Sequence, residues 1–180
     1  MNQSKKEIYK TLFSSGTTSN KVSKIYIEKN NALNQMKVLQ KIFTNLKTLV
    51  ENNNFQLVVI PSMRTPKNII NYAKEFFGDN HTVIMDVDKK AYLSALAISE
   101  NIIVTCDSSS MISEAALTGK PIYIASILPK KNDKRFQRFR NLFRELNITR
   151  NLGEEVENWT YEKLDETNRV ANIIKQKINS

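Results

Sequence analysis

From Phe55 onward the chain alternates short apolar runs with segments of helical period. The runs are Leu57-Val58-Val59-Ile60, Thr82-Val83-Ile84-Met85, Ile102-Ile103-Val104 and Ile122-Tyr123-Ile124. Each is strand-sized and nearly continuous in apolar residues, which predicts four strands buried on both faces. Between them, three-to-four spacing of apolar positions predicts helices over about 67–77, 89–98 and 110–118, the last stopped by Gly119 and Pro121. Repeated strand and helix units with short connections predict an α/β fold built on a parallel sheet, with right-handed crossovers and helices on both faces.

The flanks extend this pattern. Residues 31–53 place Leu33, Met36, Leu39, Phe43, Leu46 and Val50 on one stripe, the signature of a long amphipathic helix lying on a sheet. A first strand should precede it. Two segments compete for that role, Ile8 to Phe13, followed by the polar loop Ser14 to Asn20, and Val22 to Ile27; the first is favoured for its clearer alternation. After the fourth run a basic loop leads into a helix over about 133–146 with Phe136, Phe139, Phe143 and Leu146 on one side. A final helix begins at Asp165, whose carboxylate suits an N-cap, and carries Val170, Ile173, Ile174 and Ile178.

At 180 residues the chain has room for one domain, here read as a divergent strand and loop region over 1–30 and a Rossmann-like domain over 31–180. Apolar residues at 41% and charged residues at 25% exclude a disordered or low-complexity chain. One cysteine, Cys106, and one histidine, His81, leave no ligand set for structural zinc and no redox pair, so neither metal nor cofactor is expected. No apolar stretch approaches the ~20 residues that span a bilayer, and the basic N-terminus is not followed by the apolar core of a secretory signal. A cytoplasmic location is expected. The net charge of +9 is uneven: +6 over 1–54, −1 over 55–129, +6 over 130–150 and −2 over 151–180.

In an open parallel sheet, ligands sit beyond the carboxyl ends of the strands, so the loops after the runs are where chemistry is sought. Pro61-Ser62-Met63-Arg64-Thr65-Pro66 puts a guanidinium and two hydroxyls just before a helix. Arg64 and Thr65 there suit a phosphate, although the same residues also suit a plain turn in which Pro66 starts the helix and Ser62 or Thr65 caps it. Cys106-Asp107-Ser108-Ser109-Ser110-Met111-Ile112-Ser113-Glu114 crowds serines at a helix start, where unpaired amides favour an anion. Glu114, read here as lying on the first helical turn, fits either a capping box or a ribose diol. The stretch Lys130 to Arg140, with Arg135 and Arg138, reads as a basic helix packed by its Phe face or as a contact for phosphate, nucleic acid or an acidic membrane. Nucleic acid is the weakest of these, because base-stacking motifs of the RNA-binding kind are absent.

These motifs, in their order, resemble the bacterial relatives of the plant mitochondrial-fission ELM (elongated mitochondria) family, which are similar to GT-B glycosyltransferases. The match rests on Pro61-Ser62-Met63-Arg64-Thr65-Pro66, on Asp107 to Ala115 with Thr118-Gly119-Lys120-Pro121, on Arg135-Phe136-Gln137-Arg138-Phe139, and on Trp159-Thr160-Tyr161 with Leu164-Asp165-Glu166-Thr167. The resemblance implies the C-terminal, Rossmann-like half of a GT-B fold, the half that binds a nucleotide-sugar donor. It implies Glu114 on the ribose, Ser108, Ser109, Ser110 and Ser113 toward the diphosphate, Arg64 and Thr65 assisting from the neighbouring loop, and Arg135 and Arg138 as phosphate or surface contacts. No residue of this chain is identified as a catalytic base, and glycosyl transfer is expected only alongside a second domain or protein. The alternative is a non-catalytic module that binds an anionic membrane or a protein partner through its basic surface. A missing second domain would leave an apolar patch near Trp159 and Tyr161, and with it a tendency to self-associate.

Overall fold

The computed structural model describes residues 8–14, 23–127 and 134–178. Loop residues 15–20 and the basic stretch 130–133, both singled out above, lie outside the described residues. The chain divides into two compact units, 1–42 and 43–180.

In the first unit, β1 (Ile8–Ser14) and β2 (Ser23–Glu28) pair antiparallel, with Ser14 opposite Ser23 and Ile8 opposite Glu28. Both segments that competed for one strand are therefore strands, and each is the other's partner. Only residues 15–22 separate them, enough for a hairpin and too few for the crossover of a dozen or more residues that a parallel pairing needs. The helix α1 (Lys29–Asn52) follows β2 directly.

In the second unit, the later turns of α1 bury Phe43, Leu46, Leu49 and Val50. Phe43 stacks on Tyr72 at 5.7 Å and meets Phe77 at 5.0 Å, both on α2 (Lys67–Phe77). The parallel pair β3 (Val58–Val59) and β4 (Thr82–Val83) adjoins α2. Then come α3 (Lys89–Ile98), capped by Asp88 through the Lys90 and Ala91 amides, and β5 (Ile102–Thr105). These precede α4 (Ser109–Ala116), β6 (Ile122–Ala125), α5 (Lys134–Glu145), β7 (Thr149–Asn151) and α6 (Glu166–Ile178). Strands β5, β6 and β7 form a second parallel sheet with β6 in the middle, Ile102 beside Ile122 and Ile122 beside Thr149. All four residues of β6 are buried, as the central strand of a covered sheet requires. Around them close Ile112, Ala115 and Ala116 of α4, Phe143 of α5 and Ile148. The fold is α/β and Rossmann-like, as the alternation of runs and helices predicts.

Two features of the Gly119-Lys120-Pro121 stop are structural. Gly119 has φ +74°, a conformation in which any side chain is strained. Lys120 turns back so that its ammonium donates to the carbonyls of Leu96 (2.8 Å) and Ala97 (2.6 Å), capping the end of α3, where a cation is also favoured by the helix dipole. We expect Lys120→Met to lower the unfolding free energy by about 1.5–3 kcal/mol, the range for hydrogen bonds that involve a charged group. Urea denaturation measures it, and an unchanged midpoint would show the cap to be energetically idle.

The exposed patch expected near Trp159 and Tyr161 is not there. Trp159 is 8% exposed, packed edge-on to Tyr123 at 5.0 Å and covered by the Arg150 guanidinium at 4.4 Å. Tyr161 donates its hydroxyl hydrogen to the Lys120 carbonyl at 2.9 Å. The segment after β7 folds back over the central sheet, so these aromatics complete this unit's own packing. Exposed apolar side chains stand instead elsewhere, among them Val170, Ile173, Ile174 and Ile178 along α6. Asp165 caps this helix through the Asn168 amide at 3.2 Å. Among the described residues no helix is long and apolar enough to cross a membrane.

Candidate functional site

The serines lie where the parallel sheet puts its ligand loops. Beyond Thr105, the last residue of β5, the backbone turns through Cys106, Asp107 and Ser108, with the Ser108 amide donating to the Thr105 carbonyl at 3.2 Å. Ser108 is buried at the N-cap of α4, yet its side chain makes no capping hydrogen bond. Ser109, Ser110 and Ser113 share one face of the helix, at the i, i+3 and i+4 spacing that makes neighbours. Facing them are Arg135, Phe136 and Phe139 of α5, and the six side chains line an open cleft of about 270 Å³. Among the described residues, its polar side chains are three hydroxyls and one guanidinium, with no carboxylate. That composition suits an anion that accepts hydrogen bonds, and one apolar ring beside it.

Two contacts hold α5 over the cleft. Phe139 packs against Phe143 with ring centroids 4.3 Å apart, and Phe143 is buried in the core. Arg140 donates from Nη1 to the Cys106 carbonyl at 2.8 Å, tying the basic helix to the loop that leads into α4. Arg140 thus positions the cleft without lining it. Reading along the chain missed this role: its partner is 34 residues away, and the one local hint was its place between Phe139 and Phe143.

The remaining candidates lie elsewhere. In the loop after β3, Thr65 Oγ1 accepts from the Ser62 amide at 2.9 Å and the two hydroxyls lie 3.2 Å apart, so both staple a turn. Pro66 is the N-cap of α2 rather than its first residue, and no side chain caps that end. Arg64 reaches across to the Asp107 carbonyl at 3.4 Å, which brings its guanidinium to the loop after β5 but not into the cleft lining. Arg138 is exposed and also outside the lining. Glu114 is the sixth residue of α4 and belongs to its second turn, not its first. A capping box would need the acid three residues beyond Ser108, where Met111 stands, so that role is excluded. Among the described residues no group of three or more His, Cys, Asp or Glu side chains is placed to hold a metal ion.

Glu114 has a neighbour that the linear sequence gave no reason to pair with it. The Tyr92 hydroxyl of α3 is buried beside its carboxylate without the geometry of a regular hydrogen bond. Burial first, and then that carboxylate, push the Tyr92 phenol well above its ordinary value of 10.0. A native phenol that holds its proton longer than the unfolded one stabilises the fold fully below about pH 10, and the stabilisation is lost as pH rises through the native value. We expect Tyr92→Phe to flatten part of the alkaline loss of stability. At pH 7 the substitution should not destabilise the fold, because the buried hydroxyl it removes has no hydrogen-bond partner to lose. Denaturation series between pH 7 and 11 test this, and identical alkaline slopes for the two proteins would contradict it.

The family model described as "Mitochondrial fission ELM1" matches residues 28–178. The uncharacterized protein RP120 of Rickettsia prowazekii (strain Madrid E) is 34% identical over 140 residues, which are 72% of this chain and 38% of that protein. Mitochondrial fission protein ELM1 of Arabidopsis thaliana is 30% identical over 122 residues, 65% of this chain and 28% of that protein. The chain therefore spans well under half the length of these curated relatives. No solved structure matches it. The family match runs from the last residue of β2 to the end of α6 and includes the whole serine and arginine cleft, and on that extent this chain belongs to the mitochondrial fission ELM1 family.

Proposed function

We propose that this chain is a GT-B-like donor domain that binds a nucleotide-diphosphate sugar in the cytoplasm, and that it takes part in glycosyl transfer only alongside a second domain or protein. The observation that carries the reading is the cleft itself. Three serine hydroxyls at the start of a helix beyond a parallel strand face the Arg135 guanidinium across about 270 Å³. In this reading the diphosphate lies between Ser109, Ser110 and Arg135, with Ser108 and Ser113 adjoining. Arg64 assists from the loop that already touches the Asp107 carbonyl. Thr65 keeps that loop in shape. Glu114 accepts hydrogen bonds from the ribose diol. Calorimetric titration with uridine, guanosine and cytidine nucleotide sugars tests it. Saturable binding of one of them is expected, and binding of none overturns the reading.

A second reading has its own observation. Lys134, Arg135 and Arg138 are exposed on α5, a basic surface that suits anionic lipid. Vesicle binding that collapses as salt rises, together with silence toward every nucleotide sugar, would favour that reading over the first.

A further inference from the structure

The cleft does not reach every residue just proposed to hold the ligand. Pockets that enclose a drug-sized molecule run to about 300–1,000 Å³, and this one is about 270 Å³ and open. Glu114, the residue proposed for the ribose, is not among its lining residues. The cleft therefore receives one end of the ligand. Its chemistry decides which end.

Phe136 is 36% exposed at the rim of the cleft, while Phe139 behind it is engaged by Phe143. Among the described residues that line the cleft, a nucleobase would find no side-chain amide or carboxylate to read its edge, because their polar side chains are hydroxyls and one guanidinium. A sugar ring fits better. It presents hydroxyls around its perimeter, which Ser113 can both donate to and accept from while Ser109 and Ser110 stay with the phosphate, and an apolar face that rests on an aromatic ring.

We infer that this cleft is a sugar-phosphate subsite, in which Phe136 is the platform under the sugar and Arg135 holds the phosphate joined to it. The inference rests on the reading of the chain as a nucleotide-sugar binder, but it can be tested without the nucleotide.

The test compares a hexose 1-phosphate with inorganic phosphate on the intact chain, by calorimetry or ligand-observed NMR. The wild-type protein should bind the hexose 1-phosphate more tightly. Phe136→Leu should reduce that preference by roughly two- to tenfold, the range of an aromatic face contact. Phe136→Trp should restore it. Arg135→Gln should weaken both ligands. Phe136 is exposed enough for these variants to fold, and circular dichroism checks that they do. A wild-type protein with no preference for the sugar phosphate overturns the inference, as does a Phe136→Leu variant whose preference is unchanged. A nucleoside diphosphate and its nucleotide sugar losing affinity equally in Phe136→Leu would put the base over the ring and overturn it as well. If the hexose phosphate binds as expected and no nucleotide sugar does, the subsite stands and the nucleotide reading falls.

Discussion

Trp159→Ala should lower the unfolding free energy by about 3–5 kcal/mol, a large share of the ~5–15 kcal/mol that holds a typical domain together. The ring is buried, with Tyr123 against its edge and Arg150 over its face. Its removal would open a cavity beside the central strand. The surroundings are too well fixed to collapse into it: the Tyr123 hydroxyl accepts from the Glu157 amide at 2.6 Å and donates to the Glu157 carbonyl at 3.0 Å, and Arg150 is ion-paired with the Glu157 carboxylate. Trp159→Phe should cost much less. The indole nitrogen is buried without a hydrogen-bond partner, so the smaller ring gives up area and a cation contact but no bond. Circular dichroism in urea is the measurement, since Trp159 is the sole tryptophan and its own fluorescence vanishes with it. A loss below about 1 kcal/mol for the alanine variant would mean that the ring is peripheral.

Glu114→Gln should weaken nucleotide-sugar binding roughly ten- to 150-fold, equivalent to about 1.5–3 kcal/mol for hydrogen bonds to a charged group. Stability should move by no more than about 0.5 kcal/mol, because the carboxylate is exposed on the second turn of α4 and caps nothing. An internal check comes with the substitution. Without the charge beside it, the Tyr92 phenol should titrate closer to its ordinary value, visible in phenolate absorbance, and that confirms that the variant keeps the native placement of α3 against α4. Ser109→Ala is the companion variant, expected to weaken diphosphate-containing ligands more than the bare nucleoside. Equal losses for the two would remove Ser109 from the phosphate site. Unchanged nucleotide affinity in Glu114→Gln would remove the acid from the ribose.

The elements with a strong period were legible from the sequence alone. α2 and α3 occupy the spans that apolar spacing indicates, and the four apolar runs all contain parallel strands. β7 was not legible, because Thr149-Arg150-Asn151 has no apolar residue and becomes a strand only by pairing with β6. The fate of Trp159 was hidden for the same reason: its neighbours are Tyr123, 36 positions earlier, and Arg150, on the strand that the pattern did not reveal. At the candidate site the serines announced themselves by crowding, whereas their meeting with Arg135 depends on α5 being tied down by Arg140. Periodicity gives the face of a helix and says nothing about which distant carbonyl will hold it. The turn number of Glu114 is hidden in the sequence because α4 starts within three consecutive serines that look alike, and only the backbone shows Ser108 to be the cap and Ser109 the first helical residue.

The lone thiol sits at a telling place. Cys106 Sγ is buried, accepting from the Ile127 amide at 3.4 Å, while its own amide bonds to Ala125 and its carbonyl to Arg140. One residue therefore joins the end of β5, the segment after β6 and the helix that roofs the cleft. A thiol reagent reaches that sulfur only when these three come apart, so alkylation of this chain proceeds at the pace of a local opening and not at the pace of surface chemistry. The protein carries its own stopwatch for how often the floor beneath the α4 serines lets go.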